Sequence, residues 1–163
     1  MIKRQKANTF EKCICDLILI PSVRNMVKIP AHRGTNCLDH SIFVSYVSFK
    51  ICRRLNLDYV AAARGGLLHD IFLYNWREKD SHIGLHGLTH PIVALKNASA
   101  LLTLTEMEKD IIVKHMWPLT IILPKYKESF IVGCADKLCA TIEVLQLYEL
   151  VIRHSQLKQY NKN

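Results

Sequence analysis

The sequence predicts an all-α fold, and three observations carry that reading. Apolar residues recur at helical spacing along the chain, and period-2 alternation is nowhere sustained. Half of the 163 residues are hydrophobic, with only 6 Gly and 5 Pro, which suits a packed chain rather than a disordered one. The length supports one substantial core and is short for two. Residues 1–163 are therefore expected to form a single domain, a compact helical bundle with its core at about 37–155.

The elements follow in order. Phe10 to Ile20 reads as a first helix stopped near Pro21, and 21–37, with two prolines and a glycine, as a connecting loop. From Leu38 to Leu55 the residues Ile42, Val44, Tyr46, Val47, Phe49 and Ile51 supply a broad apolar face. Asp58 is a good N-cap for the next helix, whose alanine run leads to Gly65-Gly66. Those glycines read as positions where another element packs closely. The apolar run "LLHDIFLYNW" that follows carries His69 and Asp70, read here as adjacent helical residues. Residues 75–89 are polar and read as loop, with Pro91 at the first position of a helix to about Leu102 and His90 as its N-cap. Thr105 with Glu108 forms a capping box, starting a helix that ends before Pro118. "PLTIILPKY" is an irregular connection, and a long helix runs from about Lys127 to Ser155.

The formal net charge of +8 suggests an anionic partner, but charge alone does not choose among nucleic acid, a phosphorylated small molecule and an acidic surface. The basic residues are scattered rather than gathered in a stripe, so nucleic acid is the less expected partner. The six cysteines, Cys13, Cys15, Cys37, Cys52, Cys134 and Cys139, contain no C-x-x-C pair and sit mostly in apolar helical contexts. They read as reduced packing residues of a cytoplasmic protein. "CICDLILIPS" faintly mimics a signal peptide, but charged residues interrupt it and no small-residue cleavage site follows. No run approaches the length of a spanning helix, so no membrane partner is expected. The oligomeric state is not legible.

Histidine is the unusual count, at eight. Burying a carboxylate beside an imidazole, as His69-Asp70 would, is costly unless both are paired or hold a cation. Adjacent helical residues point about 100° apart, so the pair can grip a metal from two sides, and Asp70 can bridge two metals with its two oxygens. Further ligands must come from other helices, and imidazole with carboxylate suits iron, manganese, nickel, cobalt or zinc without separating them.

His40 in "LDHS", His69-Asp70 in "LLHD" and Asp136 in "CADK" together resemble the H…HD…D signature of the HD-domain metal-dependent phosphohydrolases. The resemblance runs from about Cys37 to Cys139. It implies a first divalent metal on His40, His69, Asp70 and Asp136. His90 and His115 match the places of two further histidines found in two-metal members, implying a second metal on Asp70, His90 and His115. Asp70 would then be the catalytic bridging residue. The chain has "HDIF" where the best-known two-metal branches have HDIG, and it lacks their GYP motif.

The activity so implied is hydrolysis of a phosphate monoester or diester of a nucleotide-like small molecule, with a metal lowering the pKa of a bound water. Arg33, Lys137 and His86 are the expected substrate contacts, with Arg77 and Lys114 behind them. Alternatives are a di-iron oxygenase on the same fold, or a non-catalytic metal- or ligand-binding protein. Blander roles stand beside these: a buried hydrogen-bonded His69-Asp70 pair, His90 as a cap, and His115 at a helix C-terminus. His86 and His90 are i, i+4, but Gly87 and Pro91 argue for loop there rather than a helical ligand pair. His32, His82 and His154 read as solvated, and Tyr74 and Trp76 as core or pocket wall.

Overall fold

The computed structural model describes residues 9–78 and 84–152. Among these it has eight α-helices and no strand: α1 Phe10–Ile18, α2 Pro21–Asn25, α3 Cys37–Arg54, α4 Tyr59–Leu68, α5 His86–Leu101, α6 Glu106–Lys114, α7 Lys127–Val144 and α8 Tyr148–Ile152. The all-α reading holds.

Local chemistry sets three of the helix starts. Asn36 caps α3 by accepting from the Asp39 amide, and Asp58 caps α4 by accepting from that of Ala61. Thr105 and Glu108 form the expected capping box on α6. Four boundaries differ from expectation, the fourth at His69-Asp70 in the site below. The segment after Pro21 folds as the short α2 and a 3-10 turn, Met26–Lys28, because Val23 and Met26 are fully buried. The expected helix from Lys127 to Ser155 breaks at Gln146, whose φ is +60°, before α8 begins. Ser155 itself lies outside the described residues.

The third difference bears on the site. α5 begins at His86 rather than Pro91, so His90 is an interior residue and not a cap. Pro91 removes one helical donor, the partner of the Gly87 carbonyl. Its cost is offset at this helix start, where the His86 and His90 rings stack at 4.6 Å with 23° between their planes. His90 Nδ1 also lies 2.8 Å from the His86 carbonyl.

The core joins α1, α3, α4, α6 and α7. α4 lies against α3 and α6 through its two glycines. A Cβ on Gly66 would stand 3.0 Å from the Ser45 Cα, and one on Gly65 would stand 2.7 Å from an Ile111 methyl. The Ser45 hydroxyl donates to the Ala63 carbonyl at 2.6 Å, fixing that contact. This close packing carries the end of α4 into the middle of the bundle. The six cysteines are all free thiols, four of them buried. No helix of the described residues is long and apolar enough to cross a membrane.

Candidate metal centre

His69 and Asp70 do not lie within a helix as the sequence suggested. α4 ends at Leu68, His69 is its C-cap, and Asp70 starts the turn beyond. His115 stands in the same relation to α6, as its C-cap. Two helix C-termini therefore meet at the centre, and their partial negative charge favours a cation there. α3 adds His40 near its start, α5 adds His90, and α7 adds Asp136.

These six side chains converge. His40 Nε2 lies 3.0 Å from Asp136 Oδ1 and 4.0 Å from Asp70 Oδ2. His69 Nε2 lies 3.5 Å from both of those oxygens. The other Asp70 oxygen, Oδ1, is 3.2 Å from His90 Nε2 and 3.7 Å from His115 Nε2. Asp70 thus stands between two ligand sets, one oxygen toward each.

The second nitrogen of every ring is already engaged. Nδ1 of His69, His90 and His115 lies 2.7–2.8 Å from the carbonyls of Gly66, His86 and Ile112 respectively. His40 Nδ1 lies 3.0–3.1 Å from both oxygens of Glu143. A carbonyl or carboxylate only accepts, so these partners assign the proton to Nδ1 and leave Nε2 with its lone pair toward the centre. That tautomer and that outer partner are what metal-bound histidine requires. Glu143 is fully buried, also accepts from Thr35 Oγ1 at 3.2 Å, and was missed in the sequence. Its signal was its place two helical turns after Asp136, on one face of α7.

Two observations test whether the pocket fits a metal. His90 Nε2 and His115 Nε2 are 2.8 Å apart while both Nδ1 atoms donate elsewhere. Two lone pairs at that distance repel unless a proton or metal ion neutralises them. His69 Nε2 and Asp70 Oδ1, both buried, have no hydrogen-bond partner among the described residues, although buried polar atoms are rarely left so. The donor set fits a divalent transition metal.

Electrostatics agree. Burial would raise the Asp70 and Asp136 carboxyls, yet the rings of His69 and His90 beside Asp70, and of His40 and His69 beside Asp136, hold both well below the usual range. Burial works against charge on His40 and His69. The carboxylates of Asp136 and Glu143 against His40, and of Asp70 and Asp136 against His69, nevertheless raise both. Burial, with His69 and His90 nearby, pushes His115 down to about 3. The centre attracts positive charge, and His115 is a poor place to put it as a proton.

A cavity of about 270 Å³ opens on the carboxylates, walled by Phe72, Trp76, Met116 and Lys137 among others. The structure brings His86 and Lys137 to this wall. His86 shares a helix face with His90, the pairing that the sequence argued against, but its Nδ1 meets the Tyr74 hydroxyl at 3.0 Å and its ring stacks on Trp76. Lys137 Nζ donates to the carbonyls of His115 and Gly133. Arg33 is not brought to the wall: it is exposed beside Gly34, whose φ of +81° turns the chain there. Arg77 donates to the Ala31 carbonyl and Lys114 pairs with Asp110. His32, expected in solvent, is half-buried, lines the cavity and sets its ring edge-on to His40 at 5.0 Å. His82 and His154 lie outside the described residues.

The sequence model of the HD domain matches residues 37–141, which include every convergent ligand. The chain belongs to the HD domain family. HD proteins are in general metal-dependent phosphohydrolases, and the His and Asp groups of this HD chain could hold metal. No curated protein and no solved structure matches it.

Proposed function

We propose that this HD protein is a metal-dependent phosphohydrolase with a dinuclear centre, cleaving a phosphate monoester or diester of a nucleotide-like small molecule. One observation carries the reading: the two oxygens of Asp70 face separate ligand sets, His40, His69 and Asp136 on one side and His90 and His115 on the other.

Divalent ions bound there would supply Lewis acidity, an acidified water and charge neutralisation at the phosphoryl group. The rest falls to the chain. Asp70 holds both halves in register, Asp136 keeps His40 and His69 together, and Glu143 keeps the His40 proton on Nδ1. His32 lines the cavity on the His40 side, and Trp76 and Met116 offer an apolar wall to the organic part. His86 steadies that wall by bridging Trp76 and His90. Cysteine usage supports a reducing, cytoplasmic setting.

The test is a panel of phosphate esters incubated with purified protein loaded with manganese or with ferrous iron, following phosphate release and oxygen uptake together. Phosphate release that is lost in Asp70→Ala is expected. Oxygen uptake coupled to substrate loss, with no phosphate freed, would replace this reading with the di-iron oxygenase alternative.

A further inference from the structure

We propose that Lys137 is a positioning residue for the His115 half of the centre, acting on the His115 backbone rather than on the substrate. The inference rests on the dinuclear reading above.

His115 caps α6, so its carbonyl has no donor from a continuing helix. The donor it receives is the Lys137 ammonium, at 2.9 Å. The same ammonium donates to the Gly133 carbonyl one turn earlier on α7, at 3.1 Å. An ammonium has three N–H groups, so two are committed and at most one is left for a phosphate oxygen. The clamp is close because residue 133 has no side chain. A Cβ there would stand 2.9 Å from the His115 oxygen and 3.6 Å from the His115 Cα.

These contacts complete a chain of constraints. The His115 ring is tied to α6 through Nδ1 and the Ile112 carbonyl at 2.8 Å. That bond lies within α6, and α7 meets α6 by a hydrogen bond further back, from Ser129 to Asp110 at 2.7 Å, so it does not hold the His115 end. The ammonium joins that end to α7, and it also sets a positive charge at the negative end of the α6 dipole. α7 thus serves both halves with neighbouring residues: Asp136 meets His40 and His69 by its carboxylate, and Lys137 places His115 through the main chain.

The experiment compares wild type, Lys137→Met, Lys137→Arg and Gly133→Ala, titrated with manganese alone. The readouts are ions bound per chain and the electron paramagnetic resonance spectrum, in which a spin-coupled pair differs from isolated ions. Lys137→Met keeps most of the stem and loses the donors. One of its two ions should bind about 10- to 100-fold more weakly, the usual cost of losing an outer partner, and the coupled signal should give way to that of isolated ions. Lys137→Arg, which retains charge and donors, should recover part of the loss. Gly133→Ala, which presses on the His115 carbonyl with no change of charge, should weaken the same ion, and this keeps the test open if Lys137→Met folds poorly. Wild-type binding of both ions by Lys137→Met, with only a raised KM for ester, would overturn the proposal and make Lys137 a substrate contact. A wild type that binds at most one ion per chain, whether titrated with manganese or with ferrous iron, would instead overturn the dinuclear reading, and this inference with it.

Discussion

The His40 ring is held against Glu143 by its far nitrogen, Nδ1, 3.0–3.1 Å from both carboxylate oxygens, while Nε2 points at Asp136. The two carboxylates come from one face of one helix, seven residues apart, and the imidazole spans the gap between them. Glu143 therefore fixes both the orientation of the ring and the nitrogen that keeps the proton. Its replacement by glutamine should keep a polar partner while removing the charge that makes His40 a strong donor. Metal affinity of the His40 half is expected to fall about 10- to 100-fold in Glu143→Gln, measured by competitive titration against a chelating dye. Unchanged affinity would reduce Glu143 to a structural contact.

Asp70 should behave differently from every other ligand. Because its two oxygens face both sets, Asp70→Ala is expected to lower occupancy of both ions, whereas His90→Ala should lower one. Metal analysis of the purified variants separates the two patterns. An Asp70→Ala protein with full metal content would show that the centre has been drawn wrongly.

Asp110 predicts an acid limit to stability away from the metal ligands. It accepts from the Lys125 amide at 2.9 Å and the Ser129 hydroxyl at 2.7 Å, and pairs with Lys114 at 2.6 Å. Burial would raise its carboxyl, but these partners lower it. A carboxyl lower in the folded than in the unfolded state adds stability above its unfolded value, near 3.9, and loses it as pH falls through the folded value. Asp110→Asn should cost on the order of 1–3 kcal/mol at neutral pH and flatten the acid side of a urea-denaturation series between about pH 5 and 2. A variant whose acid side is as steep as that of wild type would rule Asp110 out as its source.

Gly66 sets the depth of the HD turn. A methyl there meets the Ser45 backbone, which has no rotamer by which to yield. Gly66→Ala is expected to destabilise by about 1–3 kcal/mol, read as a lower Tm, and to weaken metal binding because His69 is anchored to the Gly66 carbonyl. Wild-type values for both would mean that α3 and α4 separate without consequence.

The sequence was most legible where one residue decides the local structure. Asp58, Thr105 and Glu108 mark helix starts by side-chain chemistry, and the H…HD…D order marks residues that converge, from α3, the end of α4 and α7, on one centre. It was least legible at Pro91, where a rule about helix beginnings pointed to the wrong start: stacking of His86 on His90 supports a turn that proline would ordinarily end. Glu143 escaped because a carboxylate in an apolar helix announces burial but not its partner, and that partner lies 103 residues away. That His32 rather than Arg33 lines the cavity was hidden for a similar reason. They are adjacent, and only the turn at Gly34 decides which faces the cavity.

The shared carboxylate of Asp70 has a consequence for loading. In a dinuclear centre of the kind proposed, both ligand sets would share this one carboxylate, so the two occupancies would not be independent. Whatever factor the first ion imposes on the affinity of the second, the second imposes on the first. Such a centre would behave as a linked pair joined through one side chain, and its binding curve should depart from that of two separate sites.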